Sequence, residues 1–150
     1  MLDGRWGRPI VTSQVGDTAS ATLRAHAIIV AATAVVASIR RRQRDVLADP
    51  RPVLDRPVLA DTTDPVVAAF VAAYDEAVET LGECTPSHPR CAAPALCAAH
   101  AAEYAASLAD QHARRSARRG IYPHLHAPLD VRGLDLVEEA RANLELATHA

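Results

Sequence analysis

From Asp17 to Asp49 the chain contains no proline and no strand-like alternation, and nothing in those residues breaks a helix. Asp17 and Thr18 are good N-cap types, and Asp49–Pro50 is the first stop. A helix of about 30 residues, about 45 Å at 1.5 Å per residue, is therefore expected. It is longer than the diameter of most small domains, so everything else must arrange itself along it. Its middle is apolar on every side (Ile28, Ile29, Val30, Val35, Val36), which demands a cover. Its last turns carry Arg40, Arg41, Arg42 and Arg44, which suit the negative end of the helix dipole.

The rest of the chain reads as helical too, giving an all-α domain over 17–150 behind a flexible arm at 1–16. Residues 50–63 hold Pro50, Pro52 and Pro57 and repeat RPVL, so an extended connector is expected. Asp64 as N-cap and Pro65 as first helical residue open a second long helix, which Gly82 closes. Val67, Val71, Tyr74, Val78 and Leu81 recur at helical steps and form one apolar seam, which fits a partner helix from the same chain or a homodimer. A third helix runs from about Pro94 to Arg119, ended by Gly120. Residues 121–130, with Pro123 and Pro128, make a loop. A fourth helix follows to Ala147, with Val137, Ala140, Leu144 and Ala147 as its buried side.

The core is thin. Alanine contributes 32 residues, against 34 of Leu, Ile, Val and Phe together. At roughly 25 cal/mol per Å² of buried apolar surface, alanine supplies little, so another source of stability is expected. The cysteines suggest one. The stretch reads Cys84-TPSHPR-Cys91-AAPAL-Cys97-AA-His100. Three is an odd count for a disulfide framework, and clustered thiols beside a histidine suit a metal in a reducing compartment. Zinc takes four ligands, and Cys97 and His100, spaced i, i+3, would project to one side of a helix. The preferred zinc set is Cys84, Cys91, Cys97 and His100, with His88 as a substitute; buried thiols or a redox pair are the alternatives.

Residues 84–104 resemble the Cys₃His zinc knuckles of small proteins in high-GC bacteria and their mobile elements. The resemblance implies a structural metal, and the arrangement here has a six-residue first gap and no glycine before Cys97. Four protein ligands leave no open position for substrate. His-Glu-x-x-His, His-x-Glu with Pro-Cys-x-x-Cys, Walker and Gly-x-Ser-x-Gly motifs are all missing, so no enzyme is expected. His124-x-His126 with His112 offers a second, weaker metal pattern.

Arg114, Arg115, Arg118 and Arg119 stack two guanidinium pairs on adjacent rows of the third helix, an array suited to phosphate. On the face counted from Cys97, the residues run through His100, Tyr104 and Leu108 to Arg115 and Arg118. If that face begins as core, the helix must project past the core to end in arginine. Nucleic acid is one partner expected of these clusters, in a DNA-associated accessory protein of a plasmid or other mobile element. The net charge of -2 excludes a wholly basic binder. A second expectation is membrane association through residues 19–44, where an apolar run precedes an arginine cluster. The cytoplasm is the expected compartment.

Overall fold

A computed structural model describes residues 12–49, 51–123 and 128–149. Among the described residues five α-helices carry the fold: α1 (Thr12–Ala48), α2 (Arg51–Asp55), α3 (Pro65–Gly82), α4 (Ala92–Arg118) and α5 (Val131–Thr148). Short 3₁₀ turns lie at Pro57–Ala60 and Pro89–Cys91, and the described residues contain no strand. The all-α architecture follows the sequence. The first helix begins earlier than expected, so only residues 1–11 of the anticipated arm lie outside the described residues. A glycine inside a helix costs about 1 kcal/mol, which a 37-residue element absorbs at Gly16.

The proline-rich connector is not extended. It folds into α2 and a 3₁₀ turn because Pro52 and Pro57 occupy first-turn positions, where no amide donor is needed. α3 starts as its sequence requires: the Asp64 carboxylate accepts from the amides of Val66 (2.9 Å) and Val67 (3.2 Å), with Pro65 following. α4 ends at Gly120, where φ is +70°. There the Gly120 amide donates to Ala117 O and the Ile121 amide to Ser116 O. A Cβ at Gly120 would also lie 2.8 Å from the backbone N and O of Leu129, so the position requires glycine twice over.

Three helices make the bundle. His112 Nε2 lies 2.8 Å from Asp64, tying the start of α3 to the end of α4, so these two are antiparallel. A groove joins Thr33, Val36, Ala37 and Arg40 of α1 to Gly82, Leu81 and Val78 of α3, so α1 also runs against α3 and along α4. α4 is the central element and packs on both others.

Its buried face is alanine: Ala92, Ala95, Ala99, Ala102, Ala109, Ala113 and Ala117, with Ser116. These steps of three, four and seven residues form one stripe. Small side chains let the helix backbones come close, so dispersion contacts replace part of the missing side-chain area. Onto this stripe α1 lays Ala32, Val36 and Ile39, and α3 lays Phe70 and Ala77.

Two expected faces are therefore rotated. On α3 the buried residues are Val67, Phe70 and Ala77, while Val71 and Val78 sit at the edge, each 37% exposed. On α4 the face through Cys97, His100, Tyr104 and Leu108 is the outer one, with Tyr104 67% exposed. The helix need not project past the core to carry its arginines, because burial continues to Ala117 on the other side. α5 packs peripherally with no buried residue; Val137, Ala140 and Leu144 are half-buried and Ala147 is exposed. Arg141 anchors it to α2 through Asp55 at 2.5 Å and also pairs with Glu138.

Candidate docking surface

The residues singled out as zinc ligands are placed in two separate ways. Cys84 and Cys91 are joined in a disulfide with a Cα separation of 5.5 Å, closing the turn between α3 and α4. Cys97 is a free, exposed thiol on α4. His100 is exposed, with Nδ1 3.5 Å from Glu103. His88 lies in the disulfide loop, its Nδ1 3.0 Å from Thr85 Oγ1 and 3.2 Å from Ser87 Oγ.

A sulfur bonded to sulfur is not a thiolate, and zinc binds thiolates. The donor set as placed does not fit the ion. Among the described residues no group of three or more His, Cys, Asp or Glu is gathered to hold a metal. His124 and His126 lie outside the described residues. Disulfides persist in oxidising compartments, so the cytoplasmic expectation loses the thiol argument it rested on.

The two arginine clusters are separated along the bundle: α1 and α4 run in the same direction, but Arg42 is level with Glu103, about 16 Å before Arg114 at 1.5 Å per residue. Several members are engaged within the chain. Arg40 Nε donates to Tyr74 Oη (3.2 Å), Arg42 pairs with Glu103 (3.4 Å), and Arg114 Nε pairs with Asp110 (2.8 Å). Arg115 Nε donates to Gln111 O (3.3 Å). Arg41, Arg44, Arg118 and Arg119 are exposed.

Asp110 is a junction: Arg56 Nη1 reaches it at 2.6 Å from the connector. Burial pushes its carboxyl up, but the Arg56 and Arg114 guanidinium groups outweigh that and hold it below the ordinary 3.8. Asp64 behaves alike: burial raises it, while His112 and the two cap amides prevail and lower it. A carboxyl depressed by folding contributes stability above its unfolded value, and that contribution is lost as pH falls through the folded value. The melting temperature is accordingly expected to drop on acidification below about pH 4. In Asp110→Asn that slope should flatten; an unchanged slope would show that the Arg56–Asp110 junction is not part of the acid response.

The largest unsatisfied feature is α1 itself. Within Gly16–Ala48 an 18-residue window reaches a mean hydropathy of 1.7, yet only 22% of it is buried. One face, through Ala25, Ala32, Val36 and Ile39, is covered by the bundle. The opposite face, through Leu23, Ala27, Val30, Ala34 and Ala37, is exposed, with Leu23 at 71% and Val30 at 53%. These outer positions step by four and three, a helix-pairing seam that was hidden in the sequence because α1 is apolar all round.

The seam continues sideways into the α1–α3 groove, a cavity of about 240 Å³. On α3 the groove is lined by Val78, Leu81 and Gly82, and Asp75 and Glu79 lie next to Val78 round the helix and are exposed. On α1 it is edged by Arg40. The chain matches no protein-family model, no curated protein and no solved structure.

Proposed function

We propose that this is a non-enzymatic helical binding protein whose working surface is the outer face of α1 with the adjoining α1–α3 groove. The carrying observation is the low burial of the most apolar stretch of the chain: 22% of a window with mean hydropathy 1.7. A contiguous apolar face of this kind is the mark of an interaction site.

Membrane association through residues 19–44 is the second reading, favoured by the length and hydropathy of α1 and by the arginines that follow the apolar run. A bilayer span would have to strip Ala32, Val36 and Ile39 from α4, since all three belong to the main core. An intact bundle therefore leaves only an in-plane attachment on the outer face.

An environment-sensitive bimane placed by Val30→Cys in a Cys97→Ser background tests the proposal. Its emission should be blue-shifted and shielded from aqueous quencher, compared with the same label at exposed Gln111, when protein concentration or lipid is raised. A label at position 30 that stays as wet as one at position 111 in every condition removes the reading.

A further inference from the structure

Taking the outer face of α1 as the working surface, we infer that its occupant is a second copy of this chain. The two copies join groove to groove, so that α1 and α3 of each complete an antiparallel four-helix bundle.

The directions of the helices allow this. α1 and α3 are antiparallel neighbours lying on α4, and their outer surfaces leave two of the four places in a bundle open. A two-fold axis running along the helices sets α1 of one copy over α3 of the other at the same height, again antiparallel. Heights are known from contacts within the chain: Arg40 lies beside Tyr74, and Ala37 and Thr33 share the groove with Val78 and Leu81. Arg40 would thus come level with Asp75 of the second copy, and Ala37 with its Val78.

Charge separates this occupant from the alternatives. Across the groove, α1 carries a cationic rim (Arg40, Arg41, Arg44) and α3 an anionic one (Asp75, Glu79). Two-fold pairing sets each rim against its opposite, as a self-complementary interface requires. An anionic bilayer laid on the same face would meet the α3 carboxylates, which repel it. Alanines at 27, 34 and 37 favour close approach of another helix over contact with loosely ordered chains.

Size is adequate. α3 is about 27 Å long at 1.5 Å per residue, and two helices at about 10 Å spacing are roughly 20 Å wide. The plan area is therefore about 540 Å². Side-chain relief and the stretch of α1 beyond α3 bring the accessible area toward the ~800 Å² per partner of a standard interface.

Sedimentation equilibrium of the full chain, with vesicle flotation of the same preparation on phosphatidylglycerol–phosphatidylcholine liposomes, decides the matter. The expected mass is about 32 kDa, twice the 16.0 kDa chain. Ala37→Glu and Val78→Glu, both at exposed positions, should weaken dimerisation by at least about ten-fold while helical content is unchanged. Arg40→Glu should weaken it too, and adding Asp75→Arg should restore it.

A monomer that floats with liposomes overturns the second copy but leaves the α1 surface in use. A monomer that neither floats nor shields a label at position 30 removes both. A dimer indifferent to Ala37→Glu and Val78→Glu places the interface elsewhere and overturns the inference.

Discussion

Replacing Ile39 by alanine is expected to lower the unfolding free energy by about 2–5 kcal/mol, the range for removing a buried aliphatic side chain. That is a large share of the roughly 5–15 kcal/mol a domain of this size possesses. Ile39 is 1% exposed and, among the described residues, is the bulkiest side chain that is fully buried. Most of the core around it is alanine, already at minimal size, so no neighbour can swing in to fill the space. The backbones of α1 and α4 are close, and moving them would break the contacts of Ala32, Ala99 and Ala102 as well. The cavity should therefore persist, which places the cost toward the upper part of the range. Urea titration followed by circular dichroism reads it directly. Val30→Ala, on the uncovered side of the same helix, serves as the control and should shift stability little. Equal small effects at both positions would mean that α1 is not held on α4.

The second large effect concerns the hairpin between α3 and α4. Reducing the Cys84–Cys91 bond, or replacing both cysteines by serine, should destabilise the fold by about 2–3 kcal/mol, the chain-entropy value for a loop this short. For a domain near this length that is a drop in melting temperature of about 4–12 °C. Thiol titration of the native protein should find one reactive group, Cys97, and titration of the reduced, unfolded chain should find three. Three reactive thiols without reductant would show that the bond is not formed. Recovery of the lost stability on adding zinc to the reduced protein, and its loss again with chelator, would return the metal-knuckle expectation to consideration. The disulfide occupies the structural position that zinc was expected to hold. Either cross-link offsets a core in which alanine supplies the contacts but little apolar area.

What could be read residue by residue were the features whose cause is local. Asp64 followed by Pro65 opens α3 because one carboxylate satisfies two amides and proline needs no donor. Gly120 closes α4 because only glycine takes φ of +70° without strain. Asp130, accepting from the Gly133 amide, opens α5 by the same capping chemistry. The uninterrupted stretch after Asp17 had to be one long helix. In the connector, proline was read as a breaker, although in a first turn it is neutral.

Faces were another matter. α4 offers two candidate stripes, one of alanines and one through Cys97, His100, Tyr104 and Leu108. Hydrophobicity favours the second, with its larger groups, whereas packing selected the first, because only alanines let two helices approach α4 at once. The same choice rotated the seam of α3 toward Phe70. It also left Cys97 in solvent on α4, while Cys91 is bonded to Cys84 in the turn before that helix, so the four expected ligands do not form one set.

By itself the amino-acid order determined that the chain is helical, where most of its helices begin and end, and that side-chain bulk is scarce. Those are properties of neighbouring residues and of totals. The tertiary structure alone decided which stripe of each helix is spent on the core, which two sulfurs meet, and that one face of α1 stays uncovered. Each depends on distances between segments far apart in sequence, and in an alanine-rich chain close approach of backbones outweighs the hydrophobicity of any single face.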